Sequence, residues 1–390
     1  MKYNFDEIID RSNASAYKYG GLKDSFGRDD LLPLWVADMD FATPPFILDA
    51  IKKRLEHPVL GYVKDPIDWK PSVIDWQKSH HGWDVSPESL CFINGIMKGI
   101  GLAITRLVPE GKKVIIQPPV YHMFKYTIEG AERPVVCNPL KEREDGLYDM
   151  DFANLEQVID EDCKVLLLAN PHNPGGVCWS KETLAKLADI CAKHNIIVIS
   201  DEIHADMTLF GNKHVPFATV SETAAQISIT FGAPSKVFNM PSVVSAWAVI
   251  PNEDLRHRFV GWLEGMELTE SNIFAMPAAI AAYREGEEWR QQMLAYVEDN
   301  IRFADEYCKA NLPGIKVVRP EASFLVWLDC RGLNITNNQL IDLFINKAKV
   351  AFNIGSVFGE GGEGHMRMNV ATPRAILKMA LDRLCNALKA

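Results

Sequence analysis

Six short apolar runs constrain the fold of this chain more than any other feature of its sequence. Each run is continuous rather than alternating, as is typical of strands that are covered on both faces. Helical patterns lie between some of them; residues 181–195, for example, follow Ser180, a favoured N-cap residue. Strand and helix in repetition predict a large, doubly wound, mostly parallel α/β sheet. The runs are 90–94, 113–117, 165–170, 196–202, 227–231 and 245–250.

The pattern changes after about residue 276, where a long helical stretch begins and ends near Pro313 and Gly314. Residues 324–330 and 365–371 then read as strands, with a helical stretch between them. We therefore expect a large domain over residues 46–285. A smaller α+β domain is expected from residues 1–45 together with 286–390.

Composition excludes several classes of function. The 390 residues carry a net charge of −10 and contain no basic run, which argues against a nucleic-acid surface. The eight cysteines form no CxxC pair, so neither a metal site nor a disulfide framework is expected. Residues 1–13 are acidic rather than apolar, and no apolar run reaches the ~18 residues of a membrane span. These features predict a cytoplasmic protein with reduced cysteines.

Two polar residues follow apolar runs and are candidate ligand-binding groups. Asp201 ends the run 196–202, and open α/β sheets bind ligands at the carboxyl ends of their strands. A buried carboxylate needs a cationic partner, such as a protonated ring nitrogen; the alternative is an exposed turn carboxylate. Asn173 lies in the sequence NPHNPGG, where its amide could donate to a ligand oxygen or where the segment could simply be a tight turn.

Two basic residues stand in apolar surroundings. Lys236 lies in FGAPSKVFNMPS, and a lysine amine can form a Schiff base with a carbonyl; the alternative is an ordinary surface lysine. Arg367 lies between two methionines in HMRMNVATPR and could bind a carboxylate through both of its terminal nitrogens, or could form an internal ion pair. The glycines of GEGGEG, residues 359–364, lack the strand before and helix after that a dinucleotide site requires, so a flexible loop beside the active site is favoured.

Together these motifs resemble the fold-type-I pyridoxal-phosphate enzymes, the aspartate aminotransferase superfamily, over nearly the whole chain. Within that superfamily the sequence is similar to the cystathionine β-lyase-like branch of carbon–sulfur lyases. The stretches WVADMDF and DEIH are the most specific. The segments that carry the resemblance are 32–41, 61–66, 118–124, 170–176, 200–206, 233–239 and 367–374.

The resemblance implies a role for each candidate around pyridoxal 5′-phosphate. Lys236 would bind the cofactor covalently and then act as the base on the substrate α-proton. Asp201 would pair with the protonated pyridine nitrogen and keep the ring an electron sink. Asn173 would hydrogen-bond the ring hydroxyl oxygen, and Tyr121 would stack on the ring face.

Further residues receive roles from the same resemblance. Arg367 would bind the substrate α-carboxylate, with help from the backbone of Val36 and Ala37 and with Asn173 and Tyr121 close by. The cofactor phosphate would be held at a helix N-terminus and by a nearby hydroxyl, through Gly95, Ile96, Met97 and Ser235.

Two residues would act on the cofactor site from outside. His204 would lie next to Asp201, outside direct contact with the cofactor, and help to hold the Asp201 side chain in position. Tyr62 would reach across a homodimer interface to the neighbouring subunit's cofactor, so that the active sites are shared.

Several positions depart from the pattern of the branch. Gly232 stands where a serine is common, which implies that one phosphate hydroxyl is missing. Lys98 could compensate at the phosphate. The other departures are Met97, His122, Pro241 and Ser242. Because of these departures, the resemblance does not identify which amino acid is the substrate.

The expected activity is α,β-elimination. L-Cystathionine, L-cysteine or a related β-thio amino acid would yield pyruvate, ammonia and a thiol. The alternative is an aminotransferase, which uses the same lysine but needs a keto-acid acceptor. A third hypothesis is a cofactor-bearing protein whose main role is to bind a partner, in which case that role would survive Lys236→Ala.

Overall fold

All six apolar runs form strands, and these strands lie in one seven-stranded sheet. The structure is a computed structural model that describes residues 3–12 and 14–389. Its strands are β1 (Leu32–Pro33), β2 (Leu90–Ile93), β3 (Lys113–Ile116), β4 (Val135–Cys137), β5 (Lys141–Glu142), β6 (Tyr148–Asp149), β7 (Cys163–Ala169), β8 (Ile197–Asp201), β9 (Ser228–Gly232), β10 (Ala246–Val249), β11 (Lys316–Val318), β12 (Leu325–Asp329), β13 (Val350–Ala351), β14 (Asn353–Ile354) and β15 (His365–Asn369).

Helices cover the sheet and form much of the remaining chain. They are α1 (Tyr17–Gly20), α2 (Leu22–Phe26), α3 (Pro45–Leu55), α4 (Trp69–His81), α5 (Ile96–Leu107), α6 (Met123–Gly130), α7 (Phe152–Val158), α8 (Lys181–Lys193), α9 (Glu222–Gln226), α10 (Glu253–Arg256), α11 (Trp262–Gly265), α12 (Ala275–Glu285), α13 (Glu287–Asn311), α14 (Asn337–Asp342) and α15 (Arg374–Lys389). Helix α8 begins as predicted, because the Ser180 hydroxyl oxygen accepts a hydrogen bond from the Thr183 amide.

The large sheet is mostly parallel, in the order β2-β10-β9-β8-β7-β3-β4. Only β10 runs against its neighbours. Edge strand β4 was not predicted; its apolar run is only three residues long, with Val135 and Val136 half-buried and Cys137 exposed. In the ladder Asp201 lies between Ala169 and Phe231, so the segments that follow β7, β8 and β9 leave the sheet at the same edge.

Burial on both faces explains why the apolar runs are continuous. Leu167 packs on one face with Ile116 and Ile199, whereas its neighbour Leu168 packs on the opposite face with Leu184. Full burial of one such side chain contributes about 1.5–3 kcal/mol. Successive residues of one strand therefore support two separate core clusters.

A second, antiparallel sheet has the order β11-β12-β15-β14. Arg367 lies in the middle of β15, opposite Trp327 on one side and Asn353 on the other. The N-terminal strand β1 pairs in parallel with β13 and so joins the chain start to this region. The domain boundaries at residues 45 and 285 stay a prediction.

Two further expectations can be compared with the structure. Every cysteine is free, and most are buried, but Cys137 is exposed on the edge strand β4. Among the described residues no helix is both long enough and apolar enough to cross a membrane.

Candidate active site

A cavity of about 320 Å³ opens at the carboxyl edge of the large sheet. Ten of the thirteen residues that the resemblance places at the cofactor or the substrate line it, although they come from segments far apart in the chain, and Lys98 and Pro241 line it as well. Arg367 lies just outside the lining and contacts Asn173, whereas Val36 and Tyr62 do not line the cavity. The ten residues are Ala37, Gly95, Ile96, Met97, Tyr121, Asn173, Asp201, His204, Ser235 and Lys236.

Lys236 projects into this cavity just after β9. Its Nζ donates a hydrogen bond to the carbonyl oxygen of Ala37 at 2.5 Å. The pKa of the amine is lowered to about 8, mainly by burial; the charge of Arg367 also lowers it, whereas the charges of Asp38 and Asp201 raise it. The neutral, nucleophilic amine is therefore accessible near neutral pH.

Asp201 is buried at the end of β8, with 8% of its surface exposed. Its Oδ1 accepts a hydrogen bond from the Ile203 amide at 3.1 Å. No ion pair to this carboxylate occurs among the described residues. Burial raises its pKa to about 7, with a smaller contribution from the charge of Glu202. A cation held beside Asp201 would supply the opposite charge that favours its ionised form.

Arg367 is buried and held by neutral groups. Its Nη1 donates to Asn173 Oδ1 at 2.9 Å, and its Nη2 donates to Asn353 Oδ1 at 2.6 Å and to the Trp35 carbonyl oxygen at 3.2 Å. The guanidinium also lies 4.9 Å from the ring centroid of Phe358. Burial lowers its pKa to about 10. Because no carboxylate within residues 3–12 and 14–389 pairs with it, an anionic ligand would complete its charge balance.

Sequence reasoning missed Asn353 and Trp35 as partners of Arg367. Asn353 lies beside Arg367 only because β14 pairs with β15. Trp35 contributes a backbone carbonyl, for which side-chain identity gives no signal. The Val36 carbonyl is also engaged, since it accepts a hydrogen bond from Asn369 Nδ2 at 2.7 Å.

The opposite end of the cavity is formed by the start of α5. Gly95 precedes the helix with φ 95°, a left-handed conformation that favours glycine. The amide groups of the first helical turn lack partners inside the helix and make an N-terminus favourable for an anion. Lys98, Ser235 and Ser245 also line the cavity; Ser245 was not identified from the sequence.

His204 lines the cavity but makes no hydrogen bond to Asp201 in the described part of the chain. Its Nδ1 is buried without a hydrogen-bond partner there. Burial lowers the pKa of the imidazole to about 3, so the ring is neutral at physiological pH. Any support that it gives Asp201 is therefore through packing.

Gly232 has a structural explanation. A Cβ at this position would lie 2.2 Å from the Trp247 ring, which fills the space that a serine side chain would need. The lack of a hydroxyl at residue 232 is thus linked to the tryptophan on the adjacent strand, which pairs with it directly.

Behind Asp201, Glu202 forms a buried polar network that the sequence did not reveal. Its carboxylate accepts from Ser200 Oγ at 2.8 Å and from the Phe217 amide at 2.9 Å, and it contacts His214 Nε2 at 2.7 Å. This network joins the end of β8 to the segment 214–217, and it fixes the strand end that carries Asp201.

Outside the cavity, the described residues contain one cluster of possible metal-ligating side chains, formed by Glu142, Asp329 and His365. Arg331 donates to Glu142 Oε2 at 2.8 Å and to Asp329 Oδ1 at 2.9 Å. The two carboxylates therefore already have a cationic partner.

Lys236 and Asp201 thus lie at the carboxyl edge of the large sheet, where open α/β sheets bind ligands, and Arg367 of the smaller sheet lies beside them. The sequence model of the aminotransferase class I and II family matches residues 29–384. Cystathionine beta-lyase PatB of Bacillus subtilis (strain 168) is 39% identical over 386 residues, which cover 99% of this chain and 100% of PatB. The chain belongs to the aminotransferase class I and II family.

Solved structures agree with this membership. A PLP-bound putative aminotransferase from Clostridium difficile 630 has a TM-score of 0.96 and 40% identity, covering 99% of this chain and 100% of the other. A PLP-bound C-S lyase from Staphylococcus hominis has a TM-score of 0.92 and 33% identity, covering 100% of this chain and 99% of the other.

Proposed function

We propose that the chain is a pyridoxal-phosphate-dependent carbon–sulfur β-lyase. It cleaves L-cystathionine or a related β-thio amino acid to pyruvate, ammonia and a thiol. The observation that carries the proposal is that Lys236 and Asp201 line one cavity and that Arg367 lies beside it, hydrogen-bonded to the lining residue Asn173. Similarity to a cystathionine β-lyase and to a C–S lyase supports this activity.

The cavity fits pyridoxal phosphate. Asp201 is a buried carboxylate without an ion pair in the described chain and suits a protonated pyridine nitrogen. The amine of Lys236 suits the aldehyde, and the start of α5 at Gly95 suits the phosphate. Tyr121 provides an aromatic wall, and Asn173 provides an amide. When bound, the cofactor supplies an electron sink for the negative charge that develops on the substrate α-carbon.

The side chains of this protein position the substrate and move its proton. Arg367 binds the α-carboxylate and so orients the Cα–H bond. The Lys236 amine takes the α-proton, which its lowered pKa allows near neutral pH. The Cβ–S bond then breaks and the thiolate leaves with the electron pair of that bond. The remaining 2-aminoacrylate takes up water and releases ammonia and pyruvate.

We further propose that the enzyme works as a homodimer in which Tyr62 completes the neighbouring site. Tyr62 is 100% exposed and lies outside the cavity of its own subunit. It belongs to an exposed apolar segment that a second subunit would cover. The exposed members of this segment are Val59, Leu60, Tyr62, Val63 and Ile67.

Transamination is the competing reaction, because it needs the same lysine and the same carboxylate clamp. The family also includes proteins described as aminotransferases, such as the one from Clostridium difficile. The distinguishing experiment incubates the loaded enzyme with L-cystathionine, first without and then with a keto acid. Steady pyruvate release without a keto acid supports the lyase; turnover only after addition of a keto acid would replace it with an aminotransferase.

The cell compartment stays a prediction. We propose the cytoplasmic location that the sequence predicts.

A further inference from the structure

The backbone of residues 34–39 is fixed from several sides as it passes the cavity. Every carbonyl oxygen in this stretch accepts a hydrogen bond from another part of the chain. The carbonyl of Ala37, which lines the cavity, is the one that holds the Lys236 amine. On the side of the smaller sheet, Asn369 Nδ2 donates to the carbonyl oxygen of Asp38 at 2.7 Å. The position of the Lys236 amine therefore depends on the groups that hold this stretch.

Two cations of the N-terminal segment pair with two carboxylates at the end of the same stretch. Arg11 Nη2 lies 2.6 Å from Asp38 Oδ2, and Arg11 Nη1 lies 2.8 Å from Asp40 Oδ1. Lys18 Nζ lies 2.8 Å from Asp40 Oδ2 and 3.6 Å from Asp38 Oδ1. The Lys18 side chain is fully buried, and a buried charge needs such partners. The Tyr19 ring lies 5.8 Å from the guanidinium carbon of Arg11 on the same side. Each carboxylate is therefore shared between two cations.

The Asp38 carboxylate also acts on the Lys236 amine. Burial lowers the pKa of this amine most, and among the charges that act on it Asp38 has the largest effect and raises the pKa. The charge of Arg367 lowers the pKa, and the charge of Asp201 raises it. These three charges lie on different elements, which are the stretch after β1, strand β15 and strand β8. A direct ion pair with Asp38 would favour the protonated, unreactive form of Lys236. Within residues 3–12 and 14–389 the carboxylate pairs with Arg11 and Lys18 instead.

We propose that Arg11 and Lys18 are positioning residues that hold the Asp38 carboxylate away from the Lys236 amine. The amine is then left to the neutral carbonyl of Ala37 and to the reacting groups in the cavity. An amine that donates to a neutral oxygen loses its proton more readily than one that is paired with a carboxylate. The proposal rests on the proposed function, because it takes Lys236 as the base that removes the α-proton.

The test measures the pKa of Lys236 in the cofactor-free protein. Its lysine amines are reductively methylated with ¹³C-formaldehyde, and the NMR signals of the methylated amines are followed against pH. The signal of Lys236 is identified by its absence in Lys236→Ala. Arg11→Gln is expected to raise the pKa by about 0.5 pH unit or more, because the Asp38 carboxylate loses a partner. Asp38→Asn is expected to lower the pKa by about as much, since it removes the charge that favours the protonated amine.

The opposite signs distinguish this role from a general loss of structure, which would move both variants alike. Arg28 and Asp30 supply the matched controls, because they form a similar ion pair at 2.7 Å on the surface and do not line the cavity. Arg28→Gln and Asp30→Asn should leave the Lys236 titration unchanged. Lys18→Met is a second variant for the raised pKa, and urea unfolding shows which variants are folded.

A double variant tests whether Arg11 acts through Asp38. Arg11→Gln added to Asp38→Asn should shift the pKa of Lys236 by less than half as much as Arg11→Gln alone. An equal shift with and without Asp38 would show that Arg11 acts by its own charge, and would overturn the proposal. A pKa that is unchanged or lowered in Arg11→Gln would also overturn it.

The titration separates this proposal from the proposed function, because it needs neither the cofactor nor a substrate. If the wild-type protein releases pyruvate from L-cystathionine but the Lys236 titration is the same in all variants, only the roles of Arg11 and Lys18 fail. If the titration follows the expected signs but the loaded protein releases no pyruvate, the proposed function fails while the arrangement around the amine stands.

Discussion

Arg367 Nη1 donates a hydrogen bond to Asn173 Oδ1 at 2.9 Å, although 194 residues separate the two in sequence. The contact joins β15 of the smaller sheet to the turn that follows β7 of the larger sheet. Both residues are buried, and the guanidinium has no carboxylate partner among the described residues. The two sheets are thus held together at the point where the substrate carboxylate is proposed to bind.

Replacement of Arg367 by lysine is expected to raise KM for the amino-acid substrate about tenfold to hundredfold. Lysine cannot reproduce the two parallel hydrogen bonds to a carboxylate, and each hydrogen bond to a charged group contributes about 1.5–3 kcal/mol. Steady-state kinetics measure the effect, with the exposed Arg302→Lys as the control. An unchanged KM in Arg367→Lys would remove Arg367 from the substrate site.

Replacement of Lys236 by alanine is expected to abolish turnover and the visible absorbance of covalently bound cofactor. Among the described residues no other lysine amine hydrogen-bonds the carbonyl oxygen of Ala37, which lies in the cavity wall. The absorbance spectrum and a pyruvate assay measure the two effects, and the exposed Lys213→Ala should behave as the wild type. Retained turnover in Lys236→Ala would show that another group removes the α-proton.

Asp201 gives a pH-dependent prediction for the cofactor-free protein. Its pKa is raised to about 7 in the folded state, so the folded protein binds a proton that the unfolded chain releases above about pH 4. The free energy of unfolding should therefore fall as pH rises from about 4 to about 7, by at most about 1.4 kcal/mol per pH unit. Lys236 does not titrate in this window, since its pKa of about 8 and its ordinary value both lie above it.

Urea unfolding at pH 5 and pH 7.5 tests this dependence. Asp201→Asn should lose less stability than the wild type between the two pH values, whereas the exposed Asp68→Asn should follow the wild type. If the stability of Asp201→Asn changed with pH as much as that of the wild type, the prediction would be contradicted. The Asp201 carboxyl would then be ionised in the folded protein at both pH values.

The dimer proposal predicts complementation between two inactive proteins. Tyr62→Ala and Lys236→Ala each damage one part of a shared site. Mixed subunits should form hybrid dimers in which one site has both Lys236 and the neighbour's Tyr62, and activity should return to about a quarter of the wild-type value. A mixture that stays inactive while sedimentation shows dimers would contradict a shared site.

The sequence predicted the large sheet and the main candidate residues because each was encoded locally. Continuous apolar runs specify strands buried on both faces, and Asp201 stands directly at the end of one. The contacts of Arg367 with Asn353 and Trp35 could not be predicted, since they depend on pairing between distant segments.

Residue 232 is a second position at which the sequence alone could not predict a long-range contact. Its glycine was read from the sequence as a lost phosphate hydroxyl, but only the structure relates it to the Trp247 ring in the adjacent strand. Packing against the neighbouring strand therefore decides that residue 232 is a glycine. The residues next to Gly232 in the sequence do not predict this contact.

The most direct test of the central claim is a product balance for the cofactor-loaded enzyme with L-cystathionine and no keto acid. The β-lyase account predicts steady release of pyruvate, ammonia and thiol in equal amounts, over many turnovers for each active site. A product balance without pyruvate, in which turnover begins only after a keto acid is added, would contradict the account and establish an aminotransferase.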